Sequence, residues 1–177
     1  MSNTSGKALV ALGSNRAHDG LNWPALLSEA VRQIAAAHFF VSARSSVWES
    51  PPWPPDHDAT RGQANYFNAI VACEVGDRAP DEVVAILQML ERKFGRTRRV
   101  RWEARTLDLD LIDLDGRVGD FNGVLLPHPH THERAFVLAP LAEAAPDWRH
   151  PVLGKTAAKL LADVPGGQET RRLAALA

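Results

Sequence analysis

Between Arg105 and Leu114 apolar and acidic residues alternate, with Leu107, Leu109 and Leu111 interleaved with Asp108 and Asp110 and followed by Ile112 and Leu114. A period of two sends successive side chains to opposite faces, so the segment reads as a β-strand. Its leucines pack inward, and Asp108 and Asp110 share the other face, roughly 6.5 Å apart along the strand. Two carboxylates at that spacing repel each other unless a cation neutralises them. Hard divalent ions such as Mg²⁺ prefer carboxylate oxygen, and such a pair can hold one ion or bridge two. An isolated Asp-x-Asp is also matched by many solvated strand faces, so its neighbours must decide.

Those neighbours are basic. Arg92, Lys93, Arg96, Arg98, Arg99, Arg101 and Arg105 lead into the strand, with Glu103 the one acid among them after Arg92. Of the twenty basic residues in the chain only Lys7, Lys93, Lys155 and Lys159 are lysines. Arginine's planar fork grips phosphate oxygens through paired hydrogen bonds. A basic loop feeding a carboxylate pair supplies what a polyphosphate–Mg²⁺ complex needs, cations for the phosphates and anions for the metal. Taken alone, the basic run would equally fit a solvated surface or a nucleic-acid patch. A net charge of −1 and the lack of an extended basic face elsewhere argue against nucleic acid.

The 177 residues suit one domain, 1–177, with a core at about 8–163 and a polar tail after 165 that is expected to fray. Cys73, alone in a strand-like run, reads as core packing in a reducing cytoplasm. The first apolar stretch, Ala8 to Leu12, is too short for a membrane span or a secretory signal. It predicts a buried strand closed by Gly13-Ser14-Asn15. A helix is expected from about Pro24 to Ala37, with Leu26, Leu27, Ala30, Val31 and Ile34 on one face. Phe39 to Trp48 is β-rich. The Pro-rich run from Ser50 to about Gln63 is a long loop of the kind that carries function. Tyr66 to Val75 forms the next strand. A second helix opens at Pro80, carries Val83, Val84, Leu87 and Leu90, and ends at Gly95. With the Asp strand the order is β-α-β-β-α-β, an α+β ferredoxin-like core with an antiparallel sheet and two helices on one face. C-terminal additions follow: an apolar piece at Val124 to Leu126, a Pro/His turn, and helices at about Glu133–Ala144 and Lys155–Leu161.

Several separate stretches, in order, resemble the 6-hydroxymethyl-7,8-dihydropterin pyrophosphokinases of folate biosynthesis. They are Ala11-Leu12-Gly13-Ser14-Asn15, Ser50-Pro51-Pro52, Tyr66-Phe67-Asn68-Ala69, Arg105 to Asp110, Pro127-His128-Pro129, and Glu133 to Leu138 with Pro140-Leu141. The resemblance implies pyrophosphoryl transfer from ATP to the hydroxymethyl group of the reduced pterin, with release of AMP and two Mg²⁺ ions on Asp108 and Asp110. No covalent enzyme intermediate is required. It implies catalytic roles for Arg96, Arg98, Arg105, Asp108 and Asp110. For the pterin it points to Tyr66 and Phe136 as stacking planes, Asn68 as a hydrogen-bonding edge, and Ser50, Pro52 and Trp53 as pocket contacts. For ATP it points to Gln88, Glu91, Arg96, Arg98, Trp102, Arg105, Ile112, His128 and Arg134. Tyr66 and Phe136 could equally be core aromatics, and an amphipathic helix would expose Gln88 and Glu91 in any case. Asn15 is expected to support a turn.

Three positions depart from the family pattern. Glu103-Ala104 replaces Gly-Pro before Arg105, His130 stands where a basic residue is common, and Ser50 replaces a preferred Thr. The Arg92–Arg105 run is expected to close as a lid over ATP. A non-catalytic ferredoxin-like domain that binds nucleotide or pterin is the competing reading, and an RNA-binding domain a third. The alternate His128, His130 and His132 also raise a transition-metal site. The expected partners are ATP and the reduced pterin, with no nucleic acid and no membrane, and a monomer in the cytoplasm is expected.

Overall fold

The computed structural model describes residues 6–54, 58, 60–95 and 105–177. Strand β1 (Lys7–Ser14) lies between β4 (Tyr66–Glu74) and β5 (Asp108–Leu114), antiparallel to both. Helix α1 (Ala25–Ala36) follows β1, and α2 (Pro80–Lys93) joins β4 to β5. The β-rich run after α1 is two strands, β2 (Phe40–Arg44) and β3 (Ser46–Ser50), both antiparallel to β4. Ser45 makes the break. Its backbone N–H donates to Ile70 O while its hydroxyl accepts from Ile70 N–H, so the chain bends without leaving β4. The order β5-β1-β4-β3 is the ferredoxin-like sheet.

Period-two alternation divides the sheet's side chains between two layers. Val10 and Leu12 of β1, Val71 and Cys73 of β4, and Leu109 and Leu111 of β5 pack against Leu26, Leu27 and Ile34 of α1 and Val83, Leu87 and Leu90 of α2. Phe67 joins this face and stacks on Trp23, ring centroids 4.2 Å apart. Burial at Cys73 pushes its thiol up to about 12, so it behaves as a small apolar core residue. Helix α2 starts well because Pro80 needs no N–H partner there and the Glu82 carboxylate accepts from Ala79 N–H at 2.8 Å.

The additions after β5 do more than extend the core. A hairpin of β6 (Gly119–Phe121) and β7 (Val124–Leu126) leads to α3 (Ala135–Ala144) and α4 (Ala157–Asp163). These helices cover the other face of the sheet, where Leu138, Leu141 and Leu160 meet Leu9, Ile70 and Ile112. The helix expected from about Glu133 to Ala144 starts at Ala135, after a short 3-10 turn, Thr131–Glu133, and an extended Arg134.

The tail expected to fray is ordered. Residues Arg171–Ala175 form β8, antiparallel to β3 beyond the sheet's expected edge. Arg171 Nη2 meets Glu49 Oε2 at 2.5 Å, Arg172 Nη2 meets Glu143 Oε1 at 2.7 Å, and Leu176 is buried. Local composition hid this strand because its partners lie in β3 and α3, far away in sequence.

Candidate active site

The cavity begins with two small residues. On the α3 side of β1, Gly13 pairs with Asn68 on one flank and Asp108 on the other, and Ala11 pairs with Ile70 and Asp110. A Cβ at Gly13 would meet Asn68 Oδ1 at 3.5 Å and Asp108 Cβ at 3.8 Å, so a methyl fits there but a larger side chain would fill the floor. Phe136 and Val137 in the first turn of α3 lie over the same space. The space left is a cavity of about 270 Å³.

Part of the lining is aromatic and apolar, with polar side chains beside it. It comprises Trp53, Tyr66 and Phe136 together with Ser50, Asn68 and Ile112. Asn68 Nδ2 donates to Ser50 Oγ at 2.9 Å, and both side chains are buried. The lining also carries charge, with Asp108, Asp110, Arg105, Arg134 and His128. Arg105 Nη1 donates to Asp108 Oδ2. Burial alone would lower the Arg105 guanidinium, but Asp108 and Asp110 outweigh it and hold it above its ordinary value. Arg134 is lowered by burial, against the opposing pull of the same two carboxylates. Its guanidinium carbon lies 5.8 Å from the centre of the Phe136 ring. Burial, with Arg134 and His130 beside it, pushes His128 down to about 4, so its ring is neutral near pH 7. His128 Nδ1 is buried without a hydrogen-bond partner among the described residues.

Not every expected residue reaches the cavity. Pro51 lines it where Pro52 was expected. Gln88 and Glu91 lie on α2, outside the lining. The expected exposure of Glu91 is corrected: it is 2% exposed, and its Oε1 accepts from Leu109 N–H at 2.8 Å. A buried carboxylate needs such a donor, and here it pins the backbone between the two aspartates. Arg96, Arg98, Trp102 and Glu103, with the expected lid, lie outside the described residues. Ala11, Leu12, Gly13, Ala69 and Val137 line the cavity without having been given a site role, although all five lie in the stretches that carry the resemblance. For Ala11 and Gly13 the signal was their small size two residues apart in a strand.

The histidine run does not converge. His130 Nδ1 lies 3.2 Å from Glu133 Oε2, while His132 meets the His150 ring edge-on at 5.7 Å. No group of three or more metal-ligating side chains occurs among the described residues. Asn15 is more than a turn residue. Its Oδ1 accepts from Arg105 N–H at 2.8 Å, and its Nδ2 donates to Gln63 Oε1 and to Ala64 O at 3.1 and 3.3 Å.

An antiparallel α+β fold with a cleft lined by aromatic and amide side chains together with carboxylates and guanidinium groups is the class that fold and site define. Residues 9–146 match the model of the 7,8-dihydro-6-hydroxymethylpterin-pyrophosphokinase family, and this chain belongs to that family. It is 38% identical over 160 residues to a 2-amino-4-hydroxy-6-hydroxymethyldihydropteridine pyrophosphokinase from Synechocystis, covering 89% of this chain and 75% of that one. A protein of the same name from Pseudomonas aeruginosa is 34% identical over 159 residues, covering 90% and 92%. Among solved structures, wild-type HPPK-DHPS from Plasmodium falciparum superposes with a TM-score of 0.65 at 12% identity. That alignment takes in 92% of this chain but only 45% of the other, and it speaks to the fold alone. No helix among the described residues is long and apolar enough to cross a membrane.

Proposed function

We propose that this chain transfers the pyrophosphoryl group of ATP to 6-hydroxymethyl-7,8-dihydropterin, releasing AMP, in folate biosynthesis. One observation carries the reading: the same cavity is lined by Tyr66, Phe136 and Asn68 and by Asp108, Asp110, Arg105 and Arg134. Such a cavity can hold a flat heterocycle and a polyphosphate against each other.

The pterin lies between Tyr66 and Phe136, with Asn68 on its donor–acceptor edge and Ser50 holding that amide. Its hydroxymethyl oxygen attacks the β-phosphorus, the bond from that phosphorus to the oxygen bridging to the α-phosphate breaks, and AMP leaves with that oxygen. The alcohol proton passes to phosphate oxygen or water. Arg105 and Arg134 offer donors to the phosphate oxygens, and neutral His128 can donate through one ring nitrogen. In-line placement of the two substrates supplies much of the rate. Glu91 acts through β5 by holding the Asp108–Asp110 backbone.

The donor set fits Mg²⁺. Two carboxylates on one strand face, with no further ligating group clustered beside them among the described residues, suit an ion that shares its coordination with phosphates and water. Two such ions on Asp108 and Asp110 would neutralise phosphate charge and make the β-phosphorus a better electrophile. By the resemblance, Arg96, Arg98, Trp102 and Gln88 complete the ATP site, and the enzyme works as a cytoplasmic monomer. The test is AMP formation from ATP by the purified chain. It should require both Mg²⁺ and reduced hydroxymethylpterin. Tight binding of both substrates without AMP would instead make this a non-catalytic binding domain.

A further inference from the structure

Arg134 and Phe136 both line the cavity, are two residues apart and rest on one short stretch of backbone. Within the segment, Arg134 N–H donates to Thr131 O at 3.5 Å, and Arg134 O accepts from Val137 and Leu138 N–H at 3.1 and 3.0 Å. Arg134 is extended (φ −117°, ψ 106°) and caps α3 without any side-chain hydrogen bond of its own. The missing partner comes from beyond the family match, which ends at residue 146. Gln168 Nε2 donates to Glu133 O at 2.8 Å, and Gln168 Oε1 accepts from Ala135 N–H at 3.0 Å. The two bonds grip the peptides on either side of Arg134 as a neighbouring strand would. They also satisfy the first N–H of α3, which otherwise has no partner within the helix.

Gln168 is itself held. Three residues on, β8 is clamped to β3 and α3 through Arg171 with Glu49 and Arg172 with Glu143, and Arg172 Nε donates to Ser46 Oγ at 3.0 Å. Strand β3 ends at Ser50, which lines the same cavity.

We propose that Gln168 is a positioning residue that sets Arg134 toward the phosphates and Phe136 toward the pterin, making residues 168–176 a working part of the active site. This rests on the substrate reading above. The amide fixes the direction of the Arg134–Phe136 backbone, so its loss should weaken both substrates together rather than either alone.

The test compares wild type with Gln168→Met, which keeps the side chain's bulk without the amide, and with Gln168→Ala should the Met variant fold poorly. Equilibrium binding of an α,β-methylene analogue of ATP with Mg²⁺, and of 6-hydroxymethylpterin, is measured alongside hydrogen exchange at the Ala135 amide. Both dissociation constants should rise about tenfold, the scale of one hydrogen bond, with faster Ala135 exchange and little change in the unfolding midpoint. In an Arg134→Ala background the further loss of ATP-analogue affinity should vanish. Unchanged dissociation constants in a folded variant overturn the proposal, and so do losses that simply add in the double variant. A wild-type chain that binds both ligands but releases no AMP would refute the proposed reaction and leave this inference standing.

Discussion

The two faces of the sheet are built from the same strands and differ in almost every physical respect. Toward α1 and α2, β1 presents Val10 and Leu12, β4 presents Val71 and Cys73, and β5 presents Leu109 and Leu111, packed as one apolar core with the Glu91 carboxylate bonded to Leu109 N–H beside it. Toward α3 the same strands present Ala11 and Gly13, Asn68, and Asp108 and Asp110, around open space. Closing one face with large apolar side chains supplies the stability that lets the other keep two carboxylates and a cavity. A chain that filled both faces would be more stable and have nowhere to put a substrate.

The sharpest break of this contrast compares adjacent residues of β5. Asp110→Ala should abolish most turnover, a loss of several kcal/mol in transition-state stabilisation, while circular dichroism and the unfolding midpoint stay near wild type. Near-normal turnover in that folded variant would remove the metal role from the Asp pair. Leu109→Ala, one residue away on the closed face, should do the reverse. It should cost about 2–5 kcal/mol of stability in denaturant titrations while kcat per folded molecule holds. If Leu109→Ala cut kcat as deeply as Asp110→Ala, the two faces would not be functionally separate.

A finer probe lies within the open face. Asn68→Ala should raise the KM for the pterin far more than that for ATP, by the equivalent of roughly 1–3 kcal/mol for a heterocycle edge left without its partner. Equal changes for both substrates would mean that Asn68 holds the wall through Ser50 and does not read the pterin.

The smallest effect is set by pH. Burial depresses both His128, to about 4, and His150, which His132 lowers further. A histidine whose folded pKa lies below its unfolded value near 6.5 costs no stability above that pH. As pH falls from 6.5 toward 4, the unfolded chain takes up protons that the folded chain refuses, so stability declines. NMR should show the His128 ring neutral at pH 6 and titrating only near 4. A ring that titrates near 6.5 would place His128 in water and outside the cavity wall.

Much of this was legible along the chain because it depends on short periods. Leu26 to Ile34 marked the buried stripe of α1, the Leu/Asp alternation marked β5 and its two faces, and Pro80 and Gly95 bracketed α2. Of the residues that line the cavity, Asp108 and Asp110 were read from their alternation and Arg105 from the basic run. Ser50, Trp53, Tyr66, Asn68, Ile112, His128, Arg134 and Phe136 came through the family resemblance. Small or ordinary residues were silent. Ala11 and Gly13 matter for what they leave empty, and only the neighbouring strands give that space its meaning.

Local pattern therefore determined the elements, their buried faces and the charge of the site, since each follows from side chains a few residues apart. Tertiary structure alone decided which charges are structural. Glu91, apparently one more exposed carboxylate on a helix, is buried against the backbone of β5. Residues 165–177, apparently a loose polar end, supply both an edge strand and the amide that holds Arg134. The deciding hydrogen bonds span eighteen residues for Glu91, thirty-five for Gln168 and 122 for Arg171 with Glu49. No window short enough to show a period contains both partners, and only the folded chain brings donor to acceptor.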